Sequence, residues 1–441
     1  MAEHTVTTSR DTFVATLTAG AEPGTGPLAS LRAEALERAA TLPVPTTRDE
    51  EWRFTPLGAL LELSYGPAPE ATVSAEALEA FVLPEAVDSR LVFVNGRFQA
   101  DLSSTAALGD GVRVGRLADA LVGPDAEAVK DALGQVLPVG DDLFTALNQA
   151  HLSDDAPCVV IDKDVSVEAP LHLLSLAAPE GAGAFAIFPR ALVVVGRGSK
   201  ATVVEEHAAL GQGRYLVTSA IETAVASDAT VHHVKVIRDD LQAIHVARTG
   251  AWVRRGSNYE SVSVTLGAKL ARHDIRAIQK DQEGHAALHG LAFIGGDQLA
   301  DTHSVMDHAK PHGTSDQVHK IVAGGRARGV FNGKIFVRPK AQKTAAEQLS
   351  RSLLLSRRAL VDTKPQLEIF ADDVRCTHGA TIGQMEGDEL FYLQSRGLGV
   401  EQARQTLTLA FAGEVIAKIP VPSVKAALRE QLVARLAELD A

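Results

Sequence analysis

Residues 184–209 read AFAIFPRALVVVGRGSKATVVEEHAA, and the fold turns on how that text is taken. Two Val- and Ile-rich runs are separated by a Gly-rich turn, with no room for a helix between them. The texture begins near Pro157, with CVVIDKDVSVEAPLHLLSLA at 158–177. It continues through YLVTSAIETAVASDATVHHVKVI at 215–237 and HVARTGAWVRRGSNYESVSVTLGAKLARHDIRAIQ at 245–279, to about Val337. Short β-branched runs bounded by Gly and Asp are strand signals. A doubly wound α/β sheet needs helices between its strands, so it is disfavoured. A sandwich and a parallel β-solenoid remain. About 180 residues without a partition favour the solenoid, although no strict repeat motif is visible.

Both flanks change character. Residues 1–27 mix Thr, Gly and Pro and read as loosely packed. Leu28 to Ala40 is a helix former, stopped by Pro43 and Pro45. Trp52 and Phe54, in RDEEWRFTPL (48–57), are anchors for a small helical unit. Short helical stretches follow around Ser74 to Phe81, and Asn95-Gly96 marks a hairpin in RLVFVNGRF. Residues 113–150 return to a helical pattern, with Asp141 or Asp142 as a cap. After Met385 the pattern is helical over 388–394, 401–417 and 423–439. Ser423 suits an N-cap there, and Val424, Leu428, Leu432 and Leu436 form one apolar stripe.

The second decisive stretch is 331–397. Asn332-Gly333 suggests a turn before a short strand. Ala341 to Ser356 admits either a helix from Ala345 or a Gln-rich strand. Leu367 to Ile382 alternates as a strand and contains Cys376-Thr377-His378. Residues two apart on a strand share a face, so Cys376 and His378 point the same way. A thiol beside an imidazole suits soft or borderline metals, or thiol chemistry. Equally, the pair reads as a buried cysteine next to a core histidine.

Composition narrows the function. The 441 residues exceed one ordinary core. A net charge of -12 argues against binding nucleic acid by phosphate neutralisation. Two cysteines, Cys158 and Cys376, fit a reducing compartment and cannot hold a four-cysteine cluster. Cys158, in a Val-rich run, reads as a small buried hydrophobe. The start MAEHTVTTSRDTF lacks signal-peptide character, and no run of about 18 apolar residues predicts a membrane span. A cytoplasmic protein is expected. Gly196-Arg197-Gly198-Ser199-Lys200 and Gly329 to Lys334 both miss the phosphate-loop spacing, so no nucleotide is expected on this chain. His273, His285, His289, His303, His308, His312 and His319 cluster but fit no structural zinc spacing. His285, His289 and His303 are secondary candidates. Asp239-Asp240 and Asp372-Asp373 are the acidic pairs that a solenoid enzyme acting on polysaccharide would use, though aromatics to stack sugars are only 5% of the chain.

DTKPQLEIFADDVRCTHGATIG and LFYLQSRG, with FNGKI, AQKTAAEQ and LLLSRRALVDT before them and RDEEWRFTPL near the start, resemble the SufB/SufD family of the Suf iron–sulfur assembly system. His378-Gly379 stands where SufB usually has His-Glu, which favours the SufD branch over a SufB-like subunit carrying the main cluster site. The resemblance implies a mainly β chain: a right-handed parallel β-helix core at 151–384 between an N-terminal mainly helical domain at 1–150 and a C-terminal helical region at 385–441. It favours strand over helix for Ala341 to Ser356. It implies a non-enzymatic scaffold in a heterodimer with SufB, holding a transient iron–sulfur cluster at the shared interface. His378 aligns with the family's metal-binding histidine, and Cys376 with its neighbouring cysteine. Asp372 or Asp373 would hold the second ring nitrogen of His378. The SufC ABC-type ATPase would dock on the C-terminal helices, around Phe391 to Glu414, and a sulfur donor would deliver to the complex. No nucleic acid or membrane partner is implied, and a homodimer is compatible with the isolated chain.

Overall fold

The computed structural model describes residues 2–179, 181, 183–385 and 387–439, with side chains from 10 to 437. The expected regions 1–150, 151–384 and 385–441 therefore include a few residues outside the described ones: Met1, Glu180, Ala182, Glu386, Asp440 and Ala441. The first 150 residues hold helices α1 (Ala2–Thr18), α2 (Ala29–Thr41), α3 (Gly58–Leu61), α4 (Ala75–Leu78), α5 (Leu117–Ala120), α6 (Ala126–Ala132) and α7 (Leu143–Ala150). Among them lie strands β1 (Tyr65–Pro67), β2 (Arg90–Val94), β3 (Arg97–Phe98) and β4 (Val112–Arg116). Then strands follow one another: β5 (Pro157–Ile161), β6 (Leu171–Ala177), β7 (Ala184–Ile187), β8 (Arg190–Val195), β9 (Lys200–Ala209), β10 (Tyr215–Val225), β11 (Thr230–Arg238), β12 (Ile244–Val253) and β13 (Asn258–Thr265). The series continues with β14 (Leu270–Gln279), β15 (His285–Ile294), β16 (Leu299–His308), β17 (Thr314–Ala323), β18 (Arg328–Val337), β19 (Ala345–Leu354), β20 (Leu360–Ile369) and β21 (Arg375–Gly383). Helices α8 (Gly387–Ser395), α9 (Val400–Ile416) and α10 (Pro422–Leu439) close the chain.

Successive strands alternate between two parallel sheets, one ordered β20-β18-β16-β14-β12-β10-β8-β5-β4, the other β21-β19-β17-β15-β13-β11-β9-β6-β2-β3. This is a β-solenoid of about 7 turns. Leu216, Ile244, Leu270, Leu299, Arg328 and Leu360 stand in register, 28, 26, 29, 29 and 32 residues apart. Unequal turns explain why no fixed repeat shows in the sequence. An apolar cluster runs through the lumen, with Val193, Val203, Ile221, Val231, Tyr259, Ile275 and Met306 among its members. Helices cover both outer faces. Trp52, Phe144 and Leu147 pack on Leu216, Ile244 and Leu270. The stripe Val424, Leu428, Leu432 and Leu436 packs on Val234, Val262, Leu291 and Phe293, as its spacing requires.

The hairpin at Asn95-Gly96, the Asp142 cap (accepting from Thr145 N at 2.6 Å) and the strand at Ala345–Leu354 follow the sequence reading. Other expectations fail. The Thr-rich start is helical in α1, because Phe13 and Leu17, one turn apart, bury against the N-terminal core. The pattern at 113–150 opens with β4, antiparallel to β5. Asn332-Gly333 makes no turn but runs through the middle of β18. Leu367–Ile382 is two strands in two sheets, broken by a solenoid corner at 370–374. Ser423 lies inside α10, which Pro422 opens, and its N–H and hydroxyl both go to Glu85.

Gly196-Arg197-Gly198-Ser199-Lys200 is such a corner. A Cβ on Gly196 would meet the Asp162 and Lys163 backbone at 2.6 Å. That backbone cannot give way without moving the neighbouring turn. Gly196→Ala is therefore expected to cost about 1–3 kcal/mol in denaturant unfolding. Gly58→Ala, with nothing nearby, should cost nothing comparable.

Candidate functional site

Cys376 and His378 lie on β21, the last strand of its sheet, stacked on Ala346 and Gln348 of β19. In β19, Ala346, Gln348, Ser350 and Ser352 are buried while Ala345, Glu347 and Arg351 are exposed. Side chains in register form columns, so the even-numbered positions of β21 also sit on the lumen side. Cys376 packs against Ile335, Val337, Ala346 and Ala371, and burial pushes its thiol up. His378 is exposed, since no further rung covers it. β20 ends the other sheet in the same way. At their first ends the sheets finish on the antiparallel strands β3 and β4; at their last ends the parallel strands β20 and β21 pair with no further strand among the described residues. Leu360, Ile369, Phe370 and Ile382 are exposed along this last turn.

Asp373 does not reach for the histidine. Its carboxylate pairs with Lys343 and its backbone N–H donates to Gln342 Oε1 at 2.9 Å, tying two corners together. The residue that register sets beside His378 is Gln348. Its column runs His233, Ser261, Leu288, Gln317, Gln348, His378. Gln317 accepts from Ser304 Oγ at 2.7 Å, but its Nε2 has no partner; Gln348 is 2% exposed and neither amide atom has one. Gly333 makes the space, because a Cβ there would collide with the Gln348 amide and the Phe331 ring.

Deeper in the lumen lies a cluster that the sequence reading passed over. Glu205 takes Lys235 Nζ at 2.5 Å, His207 at 2.7 Å and His233 at 3.1 Å. Burial would raise its carboxyl, but Lys235 and the two imidazoles hold it well below the usual range. His245 bonds Asp239 at 2.7 Å and Ser219 at 2.9 Å, and Tyr215 donates to Asp239 at 2.9 Å. Asp239 is thus spent inside the fold. The clue was charge at alternate positions in Val-rich strands, Glu205 with His207 and His233 with Lys235.

The clustered histidines disperse. His273 bonds Thr249 at 2.9 Å, His308 lies between Gln279 and Ser315, and His319 stacks on Phe331 at 4.2 Å. His312 turns a corner at φ 59°. Of the secondary candidates, His285 bonds Thr314 at 2.7 Å, and His289 lies 3.8 Å from Asp316. His303 meets Glu51 at 3.1 Å and Asp301 at 3.0 Å. Among the described residues no group of three or more His, Cys, Asp or Glu side chains is placed to hold a metal ion. His303 instead anchors the RDEEWRFTPL segment: Thr55 donates to Asp301 at 2.5 Å, Arg272 lies 3.9 Å over Trp52, and Glu50 reaches Lys364 on β20. Cys158 is buried in β5, which pushes its thiol up to about 12.

Comparison with known proteins gives a consistent result. The family model described as SUF system FeS cluster assembly, SufBD core domain, matches residues 177–411, and that of the SufBD protein N-terminal region matches 15–173. An iron–sulfur cluster assembly SufBD family protein of Synechocystis is 37% identical over 91% of this chain and 90% of its own. The chloroplastic protein ABCI7 of Arabidopsis thaliana is 32% identical, over 89% of this chain and 83% of its own. The iron–sulfur cluster assembly protein SufD of Escherichia coli is 29% identical, over 90% and 89%.

The buried imidazoles set an acid limit. Burial lowers His245, His289 and His308 to about 4 and His319 to about 3. Unfolded, each would titrate near 6.5. Between those values only the unfolded chain binds the protons, so stability is full above about 6.5 and falls as pH drops towards 4. Four such groups should lower the melting temperature by roughly 5 °C between pH 6 and 5. Calorimetry checks this; a flat melting temperature there would mean that the imidazoles are not buried neutral.

Proposed function

The chain belongs to the SufBD family of iron–sulfur cluster assembly proteins, and from that membership we propose that it is a non-enzymatic scaffold subunit supplying one side of a shared cluster-building interface. The open last turn carries the reading. Two parallel sheets end on bare strands with exposed apolar side chains, and the histidine–cysteine pair sits on one of them. An unpaired edge is a template for a second chain's strands. The partner in this reading is a SufB-like subunit with the same architecture, meeting this chain edge to edge. His378 would bind iron of the nascent cluster through one neutral ring nitrogen, and the partner would supply the thiolates that two cysteines cannot. Cys376, half-buried against apolar neighbours, would support the strand more than ligate. The cluster is cargo here, built and passed on. The sulfur donor would deliver to the assembled complex.

Nucleotide chemistry would belong to a SufC-like ABC ATPase. Helix α8 suits its docking: none of its described residues is buried, and Phe391 and Tyr392 are 72% and 57% exposed. Helices α9 and α10 are committed to the solenoid face. ATP-driven closure of two ATPase subunits would then strain the scaffold pair, a population shift driven from outside this chain. We place the work in the cytoplasm; no helix among the described residues is long and apolar enough to cross a membrane.

Two outcomes test this. His378→Ala should leave the melting temperature and the heterodimer mass unchanged, because the side chain is exposed, while cluster absorbance on the complex falls roughly tenfold or more. Cys376→Ser should lose less. Wild-type cluster yield from His378→Ala would sink the ligand assignment. For docking, Phe391→Ala with Tyr392→Ala should weaken ATPase binding by about 2 kcal/mol or more in calorimetry, and the isolated chain should hydrolyse no ATP. Removing residues 385–441 is a poorer test, since it strips the cover from Val234, Val262 and Phe293. Undiminished binding by the double replacement would put the ATPase elsewhere.

A further inference from the structure

A primary amide offers two donors and two lone pairs. Gln348, 2% exposed, uses none of them within the fold. An orphaned buried amide is destabilising, and an apolar side chain of the same length would not be. The chain nevertheless makes room for this one: Gly333 leaves the amide its space, and Gln317 below leaves its own Nε2 unpartnered. The next residue above Gln348 in the column is His378. A neutral imidazole that binds metal through one nitrogen carries N–H on the other, and that N–H needs an acceptor to fix the tautomer and the ring plane. Asp373, a carboxylate close in sequence, is held by Lys343.

We propose that Gln348 is a positioning residue for His378, its Oε1 accepting from the ring N–H that the cluster leaves free. This rests on His378 being the ligand. Gly333 is then part of the same device, the gap that lets the amide stand beneath the ring. The cost of an unpartnered amide in the free chain is offset when the imidazole is turned towards it by its cargo.

The test uses the full chain assembled with its partner subunits, in four variants: Gln348→Met, Gln348→Glu, His378→Ala and the double variant Gln348→Met/His378→Ala. Methionine keeps the length and removes the orphaned amide, so it should raise the melting temperature while cutting cluster absorbance tenfold or more. Glutamate keeps an acceptor and should retain at least half the wild-type yield. The double variant should lose no more than His378→Ala alone, because both changes act through one ring. A purely packing role predicts the reverse, with methionine harmless and glutamate harmful. Three results would each overturn the proposal: wild-type yield with methionine, a melting temperature lowered by methionine, or losses that add in the double variant. If His378→Ala itself assembles clusters normally, the ligand reading fails and this inference with it. If His378→Ala fails and methionine does not, only this inference falls.

Discussion

The parallel ladder, held in register from β6 to β21, is the constraint on which everything else depends. Each rung hydrogen-bonds to the one before it, so every side chain is fixed in a column with the residues one turn away. Inside the lumen a column admits no compromise. An apolar column packs, as Val231, Tyr259 and Ala286 do. A charged residue must find its partner in the same or the adjoining column, as Glu205 finds Lys235, one rung on. Burial forces these groups to be fully paired, because an ion stranded in the lumen would cost several kcal/mol. The same stacking carries chemistry to the last turn, where the column has no next rung and His378 meets solvent.

The two ends of the solenoid are built unlike each other. At the first, β3 and β4 turn antiparallel and stop the ladder. At the other, β20 and β21 keep their outward N–H and C=O groups, and Leu360, Ile369, Phe370 and Ile382 stay exposed. Natural sheets usually blunt a bare edge with charge, proline or a covering segment. Pro365 and Lys364 lie on β20, and Glu50 reaches across to Lys364. Arg375 begins β21. The edge is therefore moderated without being closed. The RDEEWRFTPL segment spans four alternate strands to get there, from Arg272 on β14 through His303 and Asn332 to Lys364, and so binds the N-terminal helices to the open turn.

Much of this was legible in the residues. Val-rich runs without intervening helices gave the solenoid, and a four-residue leucine stripe gave the last helix and its buried face. The parity of a strand put Cys376 and His378 on one side. Three things were not legible, each for a physical reason. Asn332-Gly333 has a turn's composition, but the glycine serves a neighbouring turn's side chain, a need set about 15 residues further along the chain. The corner at 370–374 interrupts an alternating pattern with no proline or glycine to announce it. Gln348 is an ordinary polar residue until register sets it under His378, and register depends on the length of every intervening corner. The unequal turns hid that relation.

On the proposed reading, a scaffold on this plan would not complete a metal site alone. Two cysteines lie in opposite sheets, Cys158 sealed in β5 near the start of the solenoid and Cys376 at its end. The lumen's charged cluster pairs its ions among its own members, with Glu205 taken by three partners. The mouth holds an exposed imidazole, an amide without partners in register beneath it, and the last strand of each sheet. A site divided between chains, as proposed, would have a further property that a self-contained one lacks. Its ligand set would exist only while the interface holds, so a force that strained the interface would also loosen the cargo. Binding at the edge and release from it would then be one mechanical event, set by the register of the ladder.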